Sequence, residues 1–156
     1  MKTIDRILGE SANMAKRAAK LPCWAYAYAK DVIKGRWPEG EATIAKSSQS
    51  SYEYARDVIK GRWPEAEAVI AAEPFIAYYY ARDVIKGRWP EAEDGIAADP
   101  RWSYQYARDV IKGRWPEAEE TLAKSPFNSQ KSIYLKLFPQ AGWEWAVNGW
   151  LDWTDI

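Results

Sequence analysis

Residues 31–39 read Asp-Val-Ile-Lys-Gly-Arg-Trp-Pro-Glu, and the same nine residues return without a change at 57–65, 83–91 and 109–117. The spacing is 26 residues each time. A unit that short cannot bury its own apolar face, so neighbouring units must share one core. The string therefore points to a repeat architecture, and it moves the functional question from a catalytic pocket to a repeated surface.

The unit holding the last copy shows what each repeat should form. Asp99-Pro100 reads as a helix start, since Asp caps and Pro is tolerated at the first helical position. Ser125-Pro126 repeats the device, while Glu73-Pro74 and Leu21-Pro22 keep the proline with poorer caps. A first helix is predicted over about 100–112, with Trp102, Ser103, Tyr106, Ala107, Val110 and Ile111 on one stripe. Gly113 stands where a helix C-cap favours a left-handed residue. Arg114-Trp115 makes the turn, and Pro116 opens a second helix over about 116–124. Its Glu117 and Glu119 suit the positive end of the helix dipole. Small residues at the matching point of the other units, Gly40, Ala66 and Ala92, should let the two helices approach closely. Helices this short are marginal alone.

The expected fold is all-α, an α-solenoid of 26-residue helical-hairpin repeats with divergent terminal caps. It forms a single repeat domain: 1–22 as a degenerate first hairpin acting as a cap, 23–126 as four repeats, and 127–156 as a Trp-rich closing cap. Asp5 and Gly9 precede Asp31 and Gly35 by one period, which supports the first of these.

The longer string Asp-Val-Ile-Lys-Gly-Arg-Trp-Pro-Glu-Ala-Glu resembles short repeats in uncharacterised proteins of tailed phages and giant viruses. The resemblance covers roughly 23–126. It implies a viral protein in the host cytoplasm and carries no functional residue with it. Tetratricopeptide and ankyrin units are longer, and their signature residues are missing.

Composition narrows the function. Lys+Arg and Asp+Glu both total 22, which argues against a strongly basic nucleic-acid protein and an acidic DNA mimic. There is no histidine, the commonest general base and metal ligand. The lone Cys23 has no histidine to activate it. Glu65 and Glu67 lie two apart on a helix and face away from each other. No phosphate loop or metal cluster is present, so the chain reads as non-enzymatic, with no cofactor and no metal. The N-terminus lacks the apolar run of a signal peptide, and no segment approaches a membrane span of ~20 apolar residues. The expected location is cytoplasmic.

The repeated charges and aromatics are the candidate contacts. Asp31, Asp57, Asp83 and Asp109 are expected to pair with Arg36, Arg62, Arg88 and Arg114 as a register-setting ladder. Trp37, Trp63, Trp89 and Trp115 are expected to wedge between hairpins. The outer face of the first helices lines up Lys30, Lys34, Arg56, Lys60, Arg82, Lys86, Arg108 and Lys112, against a row of glutamates on the second helices. Tyr26, Tyr52, Tyr78 and Tyr104 flank that face, and Tyr79 belongs to a dense Tyr78-Tyr79-Tyr80 spot. Two exposed columns vary between copies: Ala27, Glu53, Tyr79, Gln105, and Cys23, Gln49, Phe75, Arg101.

An invariant frame with variable outer positions suits a protein-binding surface, because Tyr, Trp and Arg are common interface anchors. With the viral resemblance, the leading reading is a non-catalytic scaffold that binds a host protein and blocks a defence or regulatory function. The alternative is capture of an anionic nucleotide signal or single-stranded nucleic acid by the Lys/Arg/Tyr face. A third reading is self-association through 143–153, where Trp143, Trp145, Trp150 and Trp153 cluster. There Trp143, Val147, Trp150 and Thr154 fit one helical face, with Glu144, Asp152 and Asp155 at its edge.

Overall fold

A computed structural model describes residues 2–126 and 128–150. Among them there are eleven α-helices, four π-helical segments and no strand. The helices are α1 (Lys2–Ala18), α2 (Pro22–Ala27), α3 (Pro38–Ile44), α4 (Ser48–Tyr54), α5 (Pro64–Ala71), α6 (Pro74–Tyr80), α7 (Pro90–Ala97), α8 (Pro100–Tyr106), α9 (Pro116–Lys124), α10 (Asn128–Leu137) and α11 (Pro139–Val147). The chain divides into two compact units, Met1–Ile70 and Ala71–Ile156.

Each repeat is a helical hairpin. Its first helix begins as an α-helix and widens into a π-helical last turn, at Tyr28–Ile33, Ala55–Ile59, Ala81–Ile85 and Ala107–Ile111. The string then breaks the helix. Lys34, Lys60, Lys86 and Lys112 take the left-handed conformation, with φ of 57 to 60°. The next residue's N–H closes the wide turn, Gly35 onto the Ala29 carbonyl and Gly61 onto that of Ala55, both at 3.2 Å. The left-handed cap expected at the glycine is thus carried by the lysine before it. The extra residue in the π turn places lysine where the chain must reverse. Gly149, at φ 70°, caps α11 in the ordinary way.

Proline then starts the second helix, with Trp37, Trp89 and Trp115 as N-cap residues of α3, α7 and α9. The expected start at Asp99 is present, its carboxylate accepting the Arg101 N–H at 2.9 Å. Ser125-Pro126 does not open a helix, and α10 begins at Asn128.

In the first unit, α2 packs on α3 and α4, and α3 packs on α4. In the second, α6 packs on α7 and α8, α7 on α8 and α9, and α8 on α9. The last hairpin follows suit, α10 on α8 and α9, and α11 on α9. Within each unit first helices therefore lie beside first helices, and in the second unit second helices also lie beside second. Each tryptophan of the string is buried; Trp37 packs on Tyr28 and Trp115 on Tyr106, both with ring centroids 4.9 Å apart. Alanines 25, 29, 55, 66, 77, 81, 92, 107 and 118 are buried between the helices and permit their close approach.

The N-terminal segment departs from the expected hairpin. Where the repeats read Lys-Gly-Arg-Trp-Pro, it reads Leu8-Gly-Glu-Ser-Ala12. With no proline to break it, α1 runs straight from Lys2 to Ala18. At the other end, α11 stops at Val147, so the helical face expected to run on to Thr154 is interrupted. The side chain of Trp143 and all of 151–156, hence much of the proposed 143–153 surface, lie outside the described residues.

Candidate functional site

Two polar networks recur, and together they engage the arginines of the repeated string and its aspartates Asp57, Asp83 and Asp109. The first lies at the turn. Arg36 donates twice to Glu41, at 2.8 and 2.8 Å, and Arg62, Arg88 and Arg114 do the same to Glu67, Glu93 and Glu119. Within each unit a tyrosine from the next hairpin completes the set. Tyr54 accepts the Trp37 N–H at 2.8 Å and donates to Glu41 at 2.8 Å. Tyr106 joins Trp89 and Glu93, and Tyr134 joins Trp115 and Glu119. An orphan donor at a helix start is thereby satisfied by the neighbouring hairpin. The arginines thus pair with glutamates five residues on, and the expected Asp–Arg ladder does not form.

The aspartates belong to the second network. Arg56 chelates its own neighbour Asp57 at 2.6 and 3.0 Å, and Tyr26 of the preceding hairpin donates to the same carboxylate at 2.6 Å. Lys30 adds a bond to Asp57 at 2.9 Å. In the second unit Arg108 chelates Asp109, which also accepts from Tyr78 at 2.6 Å. Arg82 chelates Asp83. Each cation also lies over the tyrosine one turn earlier: Lys30 on Tyr26, Arg56 on Tyr52, Arg82 on Tyr78 and Arg108 on Tyr104. The adjacent arginine holds the carboxyls of Asp57 and Asp109 below the usual range.

The candidate residues therefore fall into two groups. Lys30, Arg56, Arg82 and Arg108 are bound to aspartates of this chain, and Tyr52 and Tyr78 are buried beneath them. Tyr26 and Tyr104 are half-buried. Lys34, Lys60, Lys86 and Lys112 are exposed at the hairpin turns, with no ion pair among the described residues. The cations on the first helices share their face with the aspartates that neutralise them.

The second unit carries an aromatic patch on this outer face. Phe75 on α6 is 43% exposed, and its ring lies 5.0 Å from Tyr79 and 4.8 Å from Trp102 on α8. Tyr79 and Trp102 are half-buried, and Tyr78 stacks on Trp102 at 27°. The Arg82 guanidinium sits 4.5 Å from the Tyr79 ring centre. Three aromatic edges and a cation thus meet on two adjacent helices. Tyr79 and Phe75 stand out in the sequence as members of the variable columns. Trp102 reads there only as part of the apolar stripe; its one-period distance from the Phe75–Tyr79 turn is the signal that joins them.

Elsewhere the surface offers less. A cleft in the second unit between α7 and α9 is lined by Glu93, Asp94, Glu117, Thr121 and Trp115. No metal-binding cluster occurs among the described residues, and none of their helices is long and apolar enough to cross a membrane. Comparison with known proteins finds no match, whether to a family model, a curated protein or a solved structure.

Proposed function

We propose that this chain is a non-catalytic repeat scaffold that binds a protein partner through the outer face of its first helices. The observation carrying this reading is the Phe75–Tyr79–Trp102–Arg82 patch, built on variable positions over a frame whose own arginines are internally paired. Aromatic and arginine side chains, partly exposed and held rigid by one another, are the usual anchors of protein interfaces. The viral resemblance of the repeats favours a host protein as the partner and a blocking role, in the host cytoplasm.

Capture of a nucleotide or single strand is the second reading. The free turn lysines favour it, while the occupation of Arg56, Arg82 and Arg108 by aspartates weighs against it. Calorimetry separates the two. Titration with nucleotides and short oligonucleotides at low salt should give no heat, whereas salt-sensitive binding supports the second reading. Affinity capture from host extract should return a protein held by the native chain and lost with Tyr79→Ala. Retention of the same proteins by both chains refutes the patch.

A further inference from the structure

We infer that the end of the first unit beside Asp31 is a second docking site, and that its occupant is a partner helix carrying Tyr and Lys or Arg one turn apart. The same position is held differently in the other repeats. At Asp57 the carboxylate is held by its own neighbour Arg56 and by Tyr26 and Lys30 of the preceding hairpin. At Asp109 it is held by Arg108 and by Tyr78. At Asp31 both holders are missing. The neighbour there is Lys30, whose ammonium is drawn to Asp57. The preceding hairpin is missing because α1 runs on as one helix. Asp31 is exposed and has no ion pair among the described residues.

The apolar surface around it is uncovered in the same way. Trp24 is 52% exposed and Val32 is 51% exposed, while Ser50 and Val58, one period later, are buried and half-buried. With Met14, Arg17 and Ala18 of α1 they line an open groove against α2. Arg17 reaches the groove without forming an ion pair to Asp31. A first-helix slot is thus present with its carboxylate and apolar bed, and α1 lines one side of it without supplying the Tyr and cation that reach the carboxylate at Asp57. The interactions at Asp57 state what fits, a phenol donor and a cation reaching one carboxylate, and the bed beside Asp31 adds Trp24 and Val32 for an apolar face to cover.

The test uses the full chain and a defined probe, a hydrocarbon-stapled helical peptide of residues 48–56, which stops before the Asp57 that binds Arg56 and carries Tyr52 and Arg56 at the required spacing. Anisotropy of the labelled peptide at low ionic strength should show saturable one-to-one binding. Asp31→Asn in the chain and Tyr52→Phe in the peptide should each weaken it at least about fivefold, with little further loss when combined. Absence of saturation up to about 1 mM peptide overturns the proposal. So does affinity indifferent to Asp31→Asn. A native chain that sediments as a dimer, and becomes monomeric with Trp24→Ala, also overturns it by assigning the groove to a second copy.

Discussion

Tyr106 and Glu93 are locked together across neighbouring hairpins: the phenol donates to the carboxylate at 2.8 Å while accepting the Trp89 N–H at 2.7 Å. One hydroxyl thus connects the start of α7 to α8, and the Arg88 fork fixes the carboxylate from the other side. Tyr106→Phe removes the acceptor and the donor at once and leaves a buried N–H unpaired. A loss of about 1–3 kcal/mol is expected in urea unfolding. A change below experimental error would show that the junction adds nothing to stability.

The left-handed lysines give a second, sharper expectation. A non-glycine residue in that conformation costs about 1–2 kcal/mol. Lys60→Gly relieves it, less the extra entropy of the unfolded chain, so stability should rise by roughly 0.5–1 kcal/mol. Gly61 has open space where a Cβ would stand and no positive φ, so Gly61→Ala should also stabilise, by roughly 0.4–1 kcal/mol through the unfolded chain. Destabilisation by Gly61→Ala in thermal melts would return the cap to the glycine.

Gly40 behaves differently from its alanine counterparts. A Cβ built there would lie 2.1 Å from Trp37 Cε3. Gly40→Ala must therefore displace a buried indole, and a cost of about 1–3 kcal/mol is expected from chemical denaturation. A stabilising effect, as expected for alanine in an unobstructed helix, would contradict the observed seating of Trp37.

Stability should fall at both ends of the pH scale. Arg36 and Arg88 hold the carboxyls of Glu41 and Glu93 below their ordinary value. Burial pushes Glu119 up, but bonds from Arg114, Trp145 and Tyr134 outweigh it and leave its pKa lowered. Groups with depressed folded values stabilise above the unfolded pKa of about 4 and lose that contribution as pH falls below it. Burial pushes Tyr54 up to about 12 and raises Tyr26 and Tyr78 as well. Their contribution is present below about pH 10 and is lost as pH rises beyond it. Thermal melts should show a plateau between about pH 5 and 9.5 with losses on either side. A stability that keeps rising above pH 10 would contradict the buried phenol network.

Much of the fold is legible in the string itself. Proline and the turn residues delimit the hairpins, and the predicted second helix at 116–124 is α9. The continuous α1 is also readable in retrospect from Ala12, which stands where the repeats carry proline. The π turn is not, because side-chain periodicity does not register one extra residue in a last turn. That hidden residue places lysine at the cap. The pairing of Arg36 with Glu41, in place of an aspartate, depends on how the chain leaves that turn. At the candidate site the sequence reveals Phe75 and Tyr79 through variation between copies. It cannot reveal that Arg82 is shared between Asp83 and the Tyr79 ring, since both contacts require the folded helix.

The central claim is that the invariant string builds the frame and the variable outer positions carry the binding. The direct measurement gives α6 the residues found at the same positions one repeat earlier, Phe75→Gln with Tyr79→Glu, and follows melting and partner capture together. The melting temperature should stay within about 3 °C of the native value while the captured host protein is lost. Undiminished capture by the doubly substituted chain, at unchanged stability, would contradict it.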